Sequence, residues 1–175
     1  LASLLTHPAI PWGLSRIAGV SRRLFVAAAL MSLIPDADVI AFRFGIPYES
    51  QWGHRGFTHS ISFALLAGIL FSFFSAYFRV SRGKIFGWIF LSTLSHTFLD
   101  SLTNGGLGVA AFWPLTSERF FLPFRPIQVS PIGIGGFLSF RGIIVIASEI
   151  LVVWLPILLM TNFVRKKRGK ISWIE

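Results

Sequence analysis

Between Gly142 and Phe163 the chain runs about 22 residues with Glu149 as its only charge. As an α-helix that run is about 33 Å long, enough to cross a hydrocarbon core about 30 Å thick. Lipid offers no water to backbone N–H and C=O groups, so a run that spans must be helical. Phe57–Phe78 repeats the pattern with no charge beyond His59, and Ile85–Leu102 is a shorter third run with His96 and Asp100 near its end. Hydrophobic residues make up 54% of the chain, above the roughly 45–50% of soluble domains. Nearer the start, Ala9–Val20 is interrupted by Pro11 and Arg16, and Leu24–Ile34 is apolar but short. These two read as a short helical hairpin with its turn at Ser21-Arg22-Arg23. Residues 104–141 are rich in Gly, Pro and Phe, too long and too aromatic for a disordered loop. The expected fold is therefore all-α: a polytopic integral membrane helical bundle forming one domain over residues 1–175. It has an N-terminal hairpin, three spans and an extracytoplasmic cap at 104–141. The chain opens on Leu1 rather than Met, so an initiator or leader is expected ahead of it, and nothing resembles a signal peptide.

Sixteen basic residues against seven acidic ones leave a formal charge of +9, and there is no cysteine. Disulfides and thiolate metal ligands are excluded. The basic residues lie in short clusters between apolar runs, a pattern that orients membrane proteins rather than binding nucleic acid. Basic clusters gather on the cytoplasmic side, which places Arg165–Lys170, the turn with Arg79, Arg82 and Lys84, and Arg22-Arg23 inside. All four lysines then fall on that side. The same threading sends His7, Asp36, Asp38, His54, His59, His96 and Asp100 to the opposite face, although none was used to derive it.

Every histidine of the chain is in this set. His96 and Asp100 are four apart and share a helical face. His54 and His59 flank Arg55-Gly56-Phe57-Thr58, with His54 expected in the loop and His59 in the first helical turn. Asp36 and Asp38 lie in Pro35-Asp36-Ala37-Asp38, a pattern that also terminates helices. His7 follows Thr6, which reads equally well as a helix N-cap. Taken together, His and carboxylate ligands without thiols suit two or three divalent ions, zinc foremost, with manganese and iron compatible. The candidate catalytic residues are Asp36, Asp38, His54, His59, His96 and Asp100, and His7 joins them as a metal ligand. On the outer side the basic residues are all arginines, whose planar forks grip phosphate. Arg55, Arg119 and Arg125 are the candidate substrate-binding residues. Glu149, inside a span, is either a functional group or a buried partner for Arg141 or a polar helix face.

His7, Pro35-Asp36-Ala37-Asp38, His54-Arg55-Gly56-Phe57-Thr58-His59-Ser60 and His96-Thr97-Phe98-Leu99-Asp100 resemble the YdjM-like family of predicted membrane-bound metal-dependent hydrolases. Asp100–Gly108, Phe112-Trp113-Pro114-Leu115 and Arg119-Phe120 extend the resemblance through roughly residues 6–141. The spacing is also loosely similar to that of zinc-dependent phospholipase C sites. The resemblance implies a polytopic inner-membrane protein with hydrolase chemistry. The expected function is metal-assisted attack of water on a phosphate ester of a membrane lipid or lipid-linked substrate, at a site facing the periplasm or exterior. A metal or proton transporter using the same residues is the alternative, which would call for broken helices. Phe57–Phe78 and Ile85–Leu102 lack proline and are expected to be unbroken. A metalloprotease ranks lower because the His-Glu-x-x-His signature is absent, and a purely structural role ranks last.

Overall fold

The computed structural model describes residues 2–131 and 134–171, and every regular element among them is helical, with no strand. Helix α1 (Ala9–Ala18) ends at Gly19 in the left-handed region (φ 62°). Helix α2 (Arg22–Met31) starts after Ser21, whose hydroxyl accepts the Leu24 N–H. Arg22 and Arg23 thus open the second helix instead of forming the turn. Pro35 lacks the N–H an α-helix needs, yet the chain does not turn away there. It tightens into a 3-10 helix over Ile34–Phe44, far longer than the usual run of about 3–4 residues. Together Arg22–Phe44 makes 23 continuous helical residues, long and apolar enough to cross a membrane.

The expected span Phe57–Phe78 is not one helix. A 3-10 turn, Phe57–His59, leads into α3 (Ile61–Ser72), and a break at Phe73-Phe74 precedes the single turn α4 (Ser75–Phe78). The 12 residues of α3 reach about 18 Å, short of a bilayer core. The run Phe71-Ser72-Phe73-Phe74-Ser75 consists of weak helix formers, and apolarity alone does not hold a helix together there. Helix α5 (Arg82–Ser101) is unbroken over 20 residues. After the irregular stretch 102–131 come the one-turn α6 (Ile134–Phe137), α7 (Phe140–Glu149), a π-helical turn (Ile150–Trp154) and α8 (Leu155–Ile171). The last three form one apolar rod, Phe140–Arg168, of 29 residues. By length and composition the described residues hold two membrane-crossing helices, Arg22–Phe44 and Phe140–Arg168.

Helix α5 is the central element. It packs along α3 and α2, while α1 lies against α8. One apolar cluster gathers Leu24, Ala28, Phe78, Ile85 and Ile89 at the start of α5, and a second gathers Ala2, Ala9, Leu99, Ile127 and Val153 near its end. Between them α5 buries a polar stretch from Ser92 to Asp100. The outer surface is apolar: Leu66, Leu70 and Phe73 on the α3 side and Ile143, Leu151 and Leu159 on the last rod are exposed. That inversion suits a chain solvated by lipid.

Candidate metal centre

Four elements meet at the polar stretch of α5. The 3-10 helix brings Asp36 and Asp38, the turn before α3 brings His59, α5 brings His96 and Asp100, and the segment before α1 brings His7. All four histidines and Asp100 are buried to 1% exposure or less.

Two hydrogen bonds fix how the central imidazoles face. His96 Nδ1 lies 2.8 Å from the Ser32 carbonyl oxygen. A carbonyl only accepts, so Nδ1 carries the proton and Nε2 presents a lone pair. His59 Nδ1 lies 3.2 Å from Asp38 Oδ2, which leaves its Nε2 as the second lone pair. These two Nε2 atoms face each other at 3.0 Å. Asp36 Oδ1 lies 3.5 Å from His59 Nε2 and 3.2 Å from His96 Nε2, and Asp100 Oδ2 lies 3.6 Å from His59 Nε2. Ligand atoms about 2.0–2.2 Å from a tetrahedral ion are about 3.3–3.6 Å from one another. Asp36, His59, His96 and Asp100 thus place four acceptors, all within 4.8 Å of one another, where one ion would sit. Both Asp36 oxygens and both His7 ring nitrogens are buried with no hydrogen-bond partner. Such orphans are costly unless something completes them. The residues present fit a divalent cation.

Asp38 sits outside this group of four and is hydrogen-bonded on both oxygens. Its Oδ1 lies 2.6 Å from His54 Nδ1, and its Oδ2 accepts from Thr58 Oγ1 at 2.7 Å and the Arg55 N–H at 3.1 Å, beside His59 Nδ1. With every donor direction taken, Asp38 orients His54 and His59. Asp38, His54 and His59 form a second compact group, but one joined by hydrogen bonds. His7 stacks on His96 at 3.7 Å between centroids. Its Nε2 faces the remaining oxygens, 3.6 Å from Asp36 Oδ2 and 3.8 Å from Asp100 Oδ1. Burial pushes the His7 imidazole down to about 3 and lowers His54 below its usual value, so both are neutral at pH 7.

The arginines depart from expectation. Arg55 is wholly buried; its Nε lies 2.9 Å from Asp100 Oδ2, NH1 donates to the Gly105 carbonyl at 3.0 Å and NH2 to Thr103 Oγ1 at 2.9 Å. Its backbone is left-handed (φ 63°), a strain held by those contacts. Gly56 beside it admits no side chain, since a Cβ would come within 2.2 Å of the Gln51 carbonyl oxygen. Arg119 donates to the carbonyls of His54 (2.8 Å), Tyr48 and Ser50 (3.0 Å each). It ties residues 48–54 to the later segment rather than offering an open fork. Only Arg125 of the three is exposed.

Several contributors carry no signal in sequence. Ser32 acts through its carbonyl, and Thr97 Oγ1 donates to the His59 carbonyl at 2.9 Å. The Ala2 N–H donates to Asp100 Oδ1 at 2.7 Å. Glu149 accepts from both the N–H and, at 2.5 Å, the hydroxyl of Ser3; its partner is the N-terminal segment, not Arg141. Ser148 beside it receives the Gln128 N–H at 3.1 Å. The last rod supplies no central ligand, yet it holds both segments that embrace Asp100.

Comparison with known proteins follows the same residues. The model of the YdjM inner membrane protein family matches residues 3–169. The inner membrane protein YbcI of Escherichia coli (strain K12) is 40% identical over 174 residues, which is 96% of this chain and 99% of the relative. No solved structure matches. A family match spanning the metal-centre motifs and the final rod, with a full-length relative, means that this chain belongs to the YdjM inner membrane protein family.

Proposed function

We propose that the chain is a membrane-bound metal-dependent hydrolase acting on a phosphate ester of a lipid or lipid-linked molecule. The observation that carries the reading is the pair of Nε2 lone pairs held face to face at 3.0 Å by Ser32 and Asp38. Two such lone pairs repel unless a proton or a metal ion lies between them, and the Asp36 and Asp100 oxygens converging on the same point favour the metal ion. Asp36, His59, His96 and Asp100 would hold the ion. Three buried carboxylates against the single guanidinium of Arg55 leave two negative charges, which one divalent cation balances. A second ion is the secondary reading, through His7 Nε2 and the outer oxygens of Asp36 and Asp100.

A divalent ion in such a centre polarises a phosphoryl oxygen and makes a bound water acidic near neutral pH. Asp38 keeps the His59 ring oriented by holding its Nδ1 proton. Arg55 offsets charge on Asp100 through Oδ2, the oxygen that also faces His59, while the Ala2 N–H holds Oδ1. His54, neutral and with a partnerless Nε2, is the base available to take a proton. The centre lies near the end of α5 opposite Arg82 and Lys84, about 27 Å along the axis. The positive-inside rule then puts it on the extracytoplasmic side, with residues 104–131 as the cap and α5 as a third span.

The transporter reading draws on the break at Phe73-Phe74 and on buried Ser92, whose hydroxyl is partnerless. Both lie towards the basic end, but fully buried Ile85 and Ile89 fill the path beyond Ser92. Elemental analysis of purified protein decides the first point: about one ion per chain, lost in His59→Ala and His96→Ala. Phosphate release from a lipid panel in detergent, with no gradient, supports the hydrolase. Gradient-driven metal uptake by proteoliposomes with no phosphate release overturns it.

A further inference from the structure

Two apolar cavities run along α5 and adjoin at Ile10, Leu14 and Phe98. The larger, about 570 Å³, lies between α1, α5 and the 109–122 stretch. The smaller, about 320 Å³, lies between α1, α5 and the last rod. Both volumes are in the range of about 300–1,000 Å³ typical of ligand pockets. Phe98, 52% exposed, forms the α5 side of the boundary, and Ile10 and Leu14 form the α1 side. On α5 the larger groove extends from Leu91 to Ser101, about 15 Å of helix. The smaller ends at Leu102, so both finish beside Asp100.

The walls present hydrocarbon. The hydroxyls on the α5 wall are already hydrogen-bonded: Ser95 donates to the Ser92 carbonyl, Ser101 to the Phe98 carbonyl and Thr97 to the His59 carbonyl. The end beside Asp100 is different. Phe121 lines the larger groove there, and the Arg125 guanidinium sits 4.9 Å over its ring. Arg125 is exposed and has no ion-pair partner among the described residues. The same ring lies 6.0 Å from the Arg55 guanidinium that pairs with Asp100.

We propose that these grooves bind one anionic two-chain phospholipid, an acyl chain on each side of Phe98 and the phosphate on Arg125. Two adjoining grooves match two chains on one headgroup, and the Arg125 guanidinium over Phe121, at the wall of the larger groove, matches an anionic phosphate. The inner-membrane setting supplies such lipids. The site rests on the hydrolase reading only for its consequence, which is to deliver a phosphate ester beside the centre; binding itself needs no turnover.

Native mass spectrometry of the delipidated full chain tests this with three probes: phosphatidylglycerol, its single-chain lyso form and phosphatidylcholine. Phosphatidylglycerol should be retained at least about tenfold better than either other probe. Ala111→Trp fills the larger groove and Val152→Trp the smaller; each should reduce phosphatidylglycerol to the level of the lyso form while bound metal is unchanged. Arg125→Gln is a surface change that spares the fold even if a Trp variant misfolds, and it should bring phosphatidylglycerol and phosphatidylcholine to equal retention. Equal retention of all three probes by the unmodified chain, or an unchanged preference in Arg125→Gln, overturns the proposal in favour of ordinary bilayer lipid. Lipid retention without any hydrolysis would sink the proposed activity and leave this site standing. Hydrolysis of soluble phosphate esters without lipid preference would do the reverse.

Discussion

Replacing Asp38 by Asn separates an orienting carboxylate from a ligand. Asp38 Oδ2 takes Thr58 Oγ1 at 2.7 Å and the Arg55 N–H at 3.1 Å, with His59 Nδ1 at 3.2 Å, and Oδ1 takes His54 Nδ1 at 2.6 Å. Asn keeps one acceptor. Its oxygen will settle where three donors converge, and its NH₂ will then face His54 Nδ1, which must give up its proton. Hydrogen bonds to a charged group contribute about 1.5–3 kcal/mol and neutral ones about 0.5–1.5, so three weakened bonds cost about 3 kcal/mol. Only the share felt at His59 reaches the metal. Losing such an outer partner typically lowers metal affinity about 10–100-fold. Zinc titration against a chromophoric chelator should show that drop in Asp38→Asn, with the stoichiometry intact. Asp36→Asn, which alters a direct ligand, should leave no competitive binding. If Asp38→Asn abolishes binding as completely as Asp36→Asn does, Asp38 is a ligand and the assignment fails; an unchanged affinity would show that His59 needs no brace.

Glu149→Ala removes both acceptors of Ser3, and bound metal after dialysis should fall while α-helical circular dichroism is retained; full retention of metal would disconnect the last rod from the centre. Cysteines placed at Ser81 and Ser117 should label from opposite sides of intact vesicles, and same-side labelling ends the extracytoplasmic assignment. For the metal-free protein, His7 has a folded value near 3 and an unfolded value of 6.5. Between those values the unfolded chain binds a proton that the folded chain refuses, so stability falls as pH drops from about 6.5, by up to about 1.4 kcal/mol per unit. Chemical denaturation at pH 7 and pH 5 should show that loss, and show less of it in His7→Gln.

Much of the centre was legible because its chemistry is rare in an apolar chain. His59, His96, Asp36 and Asp100 converge as the motifs and charge pattern required, and the Gly142–Phe163 run is part of a membrane-length helix. Roles were harder to read than positions. In a sequence, a carboxylate free to bind an ion and one already hydrogen-bonded to an imidazole look the same, so the four donors gathered on Asp38 could not be read there. Nothing local in the sequence reveals that Arg55 is held by Asp100, Thr103 and Gly105, or Arg119 by the carbonyls of residues 48–54. Pro35 and two aspartates hid the continuity of Arg22–Phe44, since a proline usually stops a helix and here only tightens it. The break at Phe73-Phe74 was invisible to apolarity, which measures fitness for lipid and not helical continuity. The partner of Glu149 lies 146 positions away, beyond any local pattern.

That separation also sets an order of events as the chain is made. At about 5–20 residues per second, roughly 7–30 s pass between synthesis of Ser3 and of Glu149. Asp36, His59, His96 and Asp100 are all made within that interval, the last of them about 2–10 s before Glu149, and until then the segment that carries His7 and covers Asp100 lacks its Glu149 anchor. A nascent chain cut short before its last helix would therefore expose carboxylates and imidazoles to whatever ion came first. The Ser3 hydrogen bonds to Glu149 can form only after the final rod is made, so completion of the cover over Asp100 follows completion of the chain's last helix.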